Sequence, residues 1–147
     1  MNEKTIPDIS NSNSNQEISS IPLSGLTVLV VEDNVSNFVL LARMLGYLGI
    51  HCEWKTSGYE VVEFANTLPK LDLILMDIQM PLMDGIAATQ ELRTRYSELP
   101  PIIGLSANAF EGDREKYIAR GMDDYLTKPV KTEDFATLIN RLFAQKT

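Results

Sequence analysis

The chain has 147 residues, 44% of them apolar, enough for one substantial core and too few for two ordinary domains with a linker. A formal net charge of -7, from 20 acidic against 13 basic residues, disfavours a nonspecific grip on nucleic-acid phosphates or an anionic membrane surface. The single cysteine, Cys52, beside the single histidine, His51, excludes an internal disulfide and offers too few soft ligands for zinc. Cys52 therefore reads as a small, buried or half-buried strand residue. No positively charged stretch leads into an apolar run at the N-terminus, and no segment approaches the ~20 apolar residues of a membrane span. A soluble protein of the reducing cytoplasm is expected.

From Gly25 onward, short apolar runs alternate with longer segments of helical period, as repeated βα units around a parallel sheet require. Residues 26–31 are β-branched and almost continuously apolar, the pattern of a strand buried on both faces. Asn34 stands where it can cap a helix whose apolar positions Val35, Phe38, Val39, Ala42 and Leu45 follow the i, i+3, i+4 rule until Gly49 ends it. A second strand is read over 51–56, then a short helix over 59–66 that stops ahead of Pro69. The third strand, 71–76, is followed by a helix that Asp84 and Gly85 open and that runs to about residue 96 on a weak apolar stripe.

Pro100 and Pro101 precede a fourth strand over 102–105, and the next helix runs from Ala109 or Gly112 to Arg120, where Gly121 closes it. A fifth strand, 124–126, leads to a last helix capped by Thr132, with Glu133 and Asp134 in its first turn. Phe135, Leu138, Ile139 and Leu142 are its buried stripe. Residues 1–24 carry the run Asn11-Ser12-Asn13-Ser14-Asn15 and no aromatic side chain, so a disordered tail or linker is expected there, with 25–147 as one domain.

Ligands of open α/β sheets bind beyond the carboxyl ends of the strands, where strand order reverses. The residues at those ends are Glu32 and Asp33 after the first strand, Asp77 after the third, Ser106 after the fourth and Lys128 after the fifth. Any one of these acids alone is an ordinary loop residue. Together they make a charge problem: two carboxylates ~4 Å apart repel by about 4 kcal/mol at an effective dielectric of ~20, so a cation is needed. Lys128 supplies one positive charge and a divalent ion would supply the rest. The side-chain donors are hard oxygens, which select Mg²⁺ or Mn²⁺, with Mg²⁺ the default. Such a site suits phosphoryl transfer, in which a carboxylate can itself be the nucleophile and become an aspartyl phosphate.

Four segments, spread over roughly residues 25–145, carry a specific resemblance. Val30-Val31-Glu32-Asp33-Asn34, Met76-Asp77-Ile78-Gln79-Met80-Pro81-Leu82-Met83-Asp84-Gly85, Leu105-Ser106-Ala107-Asn108-Ala109 and Asp123-Asp124-Tyr125-Leu126-Thr127-Lys128-Pro129 look like the four signature blocks of response-regulator receiver domains. The second and third blocks most resemble receivers attached to hybrid histidine kinases.

The resemblance implies a flavodoxin-like (βα)5 fold, a doubly wound parallel sheet in the strand order 2-1-3-4-5. It implies Asp77 as phosphoacceptor, Asp33 as a direct Mg²⁺ ligand, Glu32 as one through water, and the Gln79 carbonyl as a further ligand. Ser106 resembles the hydroxyl that bonds the phosphoryl oxygen, Lys128 the cation paired with it, and Tyr125 the aromatic switch residue; without the resemblance Tyr125 reads as a half-buried strand aromatic. Lys128-Pro129 resembles the family's cis peptide. Ser106 departs mildly from the pattern, in which Thr is commoner. Gln79 and Asn108 occupy the two positions at which family members differ. The Met80-Pro81-Leu82-Met83 run reads as a loop packed over the site.

The implied function is a phosphorylation-controlled switch in a two-component system or phosphorelay, with slow loss of its own phosphoryl group and no turnover of a separate substrate. A histidine kinase or histidine phosphotransfer domain is the implied donor, docking near the first helix. No output domain is seen after Thr147, so a partner surface, onward relay or control of a tethered kinase is the expected output. Two other readings use the same residues: a pseudo-receiver that binds partners without accepting phosphate, and a Mg²⁺-dependent phosphohydrolase. The latter needs a second acid two residues after its nucleophile, where this chain has Gln79.

Overall fold

A computed structural model describes residues 23–64 and 71–144. The expected tail up to residue 22, the end of the second helix and Pro69 lie outside the described residues. Within them, strands β1 Thr27–Val31, β2 His51–Lys55, β3 Leu73–Asp77, β4 Ile102–Ser106 and β5 Asp124–Thr127 alternate with helices α1 Val35–Tyr47, α2 Gly58–Phe64, α3 Gly85–Arg95, α4 Asp113–Ala119 and α5 Thr132–Ala144. All strand pairs are parallel, in the order β2-β1-β3-β4-β5. This is the expected flavodoxin-like doubly wound sheet.

The continuous apolar runs of β1, β3 and β4 follow from burial on both faces, since side chains alternate across a strand. Val28 and Val30 of β1 face a core closed by Leu41 and Leu45 of α1 and Phe135, Leu138 and Ile139 of α5. Leu29 and Val31 face the other core, closed by Val61 and Val62 of α2, Ala88 and Leu92 of α3 and Tyr117 of α4. Leu23, ahead of β1, already packs against the α1/α5 core. Cys52 is half-buried in β2, as expected of it.

The structure changes some local expectations. β3 and β4 extend one residue further than read, so Asp77 and Ser106 are the last residues of their strands and their direction is set by the sheet. Gly112, not Ala109, caps α4, at a φ of 89° that costs a glycine little. The carbonyl that accepts the first helical bond of α5 belongs to Lys131 (Phe135 N–H, 3.0 Å), so Thr132 takes the first helical position and is not the cap.

The buried stripe of α1 is also displaced. Leu41 and Leu45 are buried with Phe38 beside them, whereas Val35, Val39 and Leu40 are exposed. This helix is apolar around most of its circumference, so period alone does not choose the inward face; the lean of α1 on the sheet does.

Candidate functional site

The order β2-β1-β3 places the reversal of strand order between β1 and β3, and the residues leaving those two strands meet there. One carboxylate oxygen from each of Glu32, Asp33 and Asp77 lies within 4.8 Å of the others. Glu32 is fully buried, Asp77 is 1% exposed, and Asp33 faces solvent.

Lys128 reaches this cluster from the far edge of the sheet. Its Nζ lies 3.1 Å from Asp77 Oδ1 and 3.5 Å from Glu32 Oε1. Its backbone N–H donates to the Ser106 carbonyl at 2.8 Å, which carries the β5 end past β4 and toward β3, and Lys128-Pro129 is a cis peptide, as the resemblance implied. Asp77 Oδ1 also accepts from the Gln79 N–H (3.1 Å), and Glu32 Oε2 from the Asn34 N–H (3.2 Å). Asn34 in turn caps α1 by accepting from the Asn37 N–H at 2.9 Å, so the acidic pair sits in a rigid strand-to-helix turn.

Burial pushes the Glu32 carboxyl up from its ordinary 4.5 to about 7, helped by the neighbouring Asp77 carboxyl and opposed by the Asn34 N–H and Lys128. Three hard carboxylate donors against one ammonium, two of those acids nearly sealed from water, fit a hard divalent ion whose charge would favour the ionised form of Glu32.

A pH experiment follows from this. Between about 4.5 and about 7 the metal-free folded state holds a Glu32 proton that the unfolded chain has lost, so stability is expected to fall as pH rises through that window and to level above it. A one-unit shift is worth about 1.4 kcal/mol, so a rise from 4.5 to about 7 makes the loss on the order of 3 kcal/mol. Thermal melts in EDTA should show this decline and saturating Mg²⁺ should cancel it, because the ion competes with the proton; a melting temperature rising with pH in EDTA would refute the burial argument.

Ser106 is buried at the end of β4, its Oγ donating to the Asn108 carbonyl (2.7 Å) and accepting from the Asn108 N–H (3.2 Å), so its hydroxyl is tied to the β4–α4 loop. Gln79 is exposed beside Asp77. Tyr125 is half-buried, its ring edge-on to Tyr117 at 5.2 Å, and burial followed by the nearby Asp113 raises its phenol pKa. In the loop after Asp77, Met80 is buried while Leu82 is 94% exposed at a φ of 70°, so only part of that run packs inward.

Sequence reasoning missed two elements of the surroundings. Buried Asp124 pairs with Arg114 of α4 (3.1 Å) and Arg141 of α5 (2.5 Å), joining the helices that flank β5. Trp54 of β2 donates its indole N–H to the Glu32 carbonyl (2.8 Å) and stacks on Phe38 of α1. Nothing in local periodicity marks either one; the only signal for Trp54 is that it is the chain's single tryptophan.

Residues 28–140 match the family described as the response regulator receiver domain. The chain is 41% identical over 117 residues to the signal transduction histidine-protein kinase BarA of Escherichia coli, covering 79% of this chain and 13% of that kinase. It thus spans only a small part of such curated relatives. Among solved structures, the receiver domain of sensor histidine kinase PA1611 from Pseudomonas aeruginosa, with a magnesium ion coordinated in its active-site cleft, is 37% identical with a TM-score of 0.70, covering 83% of this chain and 99% of that one. The receiver domain of Saccharomyces cerevisiae Ssk1, solved with the histidine phosphotransfer protein Ypd1, is 34% identical with a TM-score of 0.68, covering 78% of this chain and 86% of that one. With the family match over most of its length and the acid cluster at the strand-order reversal, this chain belongs to the response regulator receiver domains of two-component and phosphorelay signalling.

Proposed function

We propose that this protein accepts a phosphoryl group from a phosphohistidine onto Asp77, with Mg²⁺ or, in its place, Mn²⁺, and that the modification switches a partner-binding surface. The observation that carries this reading is the nearly sealed Asp77 carboxylate, held 3.1 Å from Lys128 Nζ inside a three-acid cluster. Asp33, Asp77 and the Gln79 carbonyl would hold the ion, with Glu32 through water; when bound, the ion neutralises charge on the transferring phosphoryl oxygens.

Asp77 is the nucleophile: its P–O bond forms as the donor's P–N bond breaks, and the imidazole keeps the electron pair. The contacts of Asp77 Oδ1 with Lys128 and the Gln79 N–H orient the carboxylate, and Lys128 remains to pair with a phosphoryl oxygen. A cavity of about 460 Å³ is lined by Asn37, Leu40, Leu41, Ala107, Lys128, Pro129 and Val130. It is the proposed seat of a histidine kinase or histidine phosphotransfer domain, apolar enough to exclude water around the transfer. A receiver unit over 25–147, preceded by a tether and working in the cytoplasm, completes the reading; no helix among the described residues is long and apolar enough to cross a membrane.

In the switch, Ser106 Oγ leaves Asn108 for the phosphoryl oxygen and Tyr125 follows it inward, altering the α4-β5-α5 face read by a downstream partner or a tethered kinase. Incubation with acetyl phosphate and Mg²⁺ is expected to add one phosphoryl group by intact mass, reversed slowly by autodephosphorylation, and to shift the Ser106 and Tyr125 amide resonances. No mass gain would leave a binding module that never accepts phosphate. A mass gain with unmoved Tyr125 would sink the switch alone.

A further inference from the structure

Trp54 lies on the outermost strand, outside the acid cluster, yet it contacts the backbone that carries it. Glu32 is held by β2 on both sides: its N–H donates to the Lys55 carbonyl at 3.0 Å, and its carbonyl accepts the Trp54 indole N–H at 2.8 Å. That carbonyl belongs to the peptide linking Glu32 to Asp33. Its direction therefore sets where the Asp33 side chain leaves the backbone, at the point where β1 has ended and sheet bonding no longer fixes the chain.

The indole is itself immobilised. It stacks on Phe38 with ring centroids 4.1 Å apart and planes within 5°. Phe38 stands one turn into α1, and its N–H donates to the carbonyl of the capping residue Asn34 at 3.0 Å. Indole, acidic turn and helix start thus form a closed unit in which each part restrains the others. Neighbouring Asn37, Leu40 and Leu41 line the cavity beside Lys128, so the same unit borders the proposed donor seat.

We infer that Trp54 is a positioning residue for the acidic pair: its indole N–H holds the Glu32–Asp33 peptide in the orientation that divalent-ion binding requires. The inference rests on the metal reading above. It also makes Trp54, as the single tryptophan, a built-in reporter of ion binding, because the group that accepts its hydrogen bond adjoins the ligands.

Because there is one tryptophan, global replacement in an auxotroph is site-specific. Benzothienylalanine keeps the bicyclic shape and the stack but has sulfur where the indole has N–H; 5-fluorotryptophan keeps the N–H. Isothermal titration with MgCl₂ is expected to give about three- to tenfold weaker binding for the benzothienyl protein, the scale of one lost hydrogen bond, and wild-type binding for the fluoro protein. Trp54→Phe should behave like the benzothienyl protein, and wild-type tryptophan emission should change with Mg²⁺ at the calorimetric midpoint.

A purely structural role would lower the metal-free melting temperature and leave Mg²⁺ affinity unchanged, and that outcome overturns the inference while sparing the metal reading. Absence of any Mg²⁺ heat in the wild-type protein would overturn both. Equal weakening in the benzothienyl and fluoro proteins would show that the N–H is not the feature that matters.

Discussion

Asp77→Asn is expected to abolish labelling by acetyl phosphate, lowering its rate on the order of a hundredfold or more. The amide keeps the shape of the carboxylate and still accepts from Lys128 and the Gln79 N–H, so the fold survives while the nucleophile is lost. The same change removes a like charge from beside buried Glu32, whose carboxyl should ionise more easily and whose pH-dependent loss of stability should shrink. Intact mass after acetyl phosphate treatment, read alongside thermal melts, separates the two effects. Unchanged labelling in a folded Asp77→Asn protein would mean that the acceptor lies elsewhere.

The largest effect on stability is expected from Gly85→Ala. Gly85 opens α3 directly against the end of β3, its N–H donating to the Ile78 carbonyl at 3.0 Å. A Cβ there would sit 2.2 Å from the Asp77 carbonyl oxygen and 2.9 Å from the Asp77 carbonyl carbon, both backbone atoms that cannot rotate away. Either α3 or the β3 end must move, and both belong to the core. Urea unfolding should show a loss of about 3 kcal/mol or more, with slower labelling of Asp77 in whatever fraction remains folded. The internal control is Gly46→Ala within α1, where an added Cβ meets nothing within 4 Å. That change should be neutral or stabilise by up to about 1 kcal/mol. Equal stability of the two variants would refute the claim of close approach.

Much of the acid cluster could be read before any tertiary contact was known. Strand ends are marked by where apolar runs stop, and in a parallel βα sheet all those ends lie on one edge. Glu32, Asp33, Asp77 and Lys128 therefore had to be near neighbours once the strand order followed from the family resemblance, and the structure brings them together. Ser106 arrives at the same edge, but its hydroxyl is engaged with Asn108, a loop interaction that strand patterning does not encode.

From sequence alone came the alternation of strands and helices and the carboxylates at the strand ends, because each depends on residue type and on neighbours at most four positions apart. The tertiary structure alone decided what depends on distant pairs. Lys128 meets Asp77 across 51 positions and Glu32 across 96, and Trp54 reaches Glu32 across 22. Only packing made Glu32 the sealed acid and Asp33 the open one, and only the lean of α1 on the sheet turned Val35, Val39 and Leu40 outward. Desolvation and helix orientation are properties of the assembled chain, set by which surfaces meet, and no local pattern carries them.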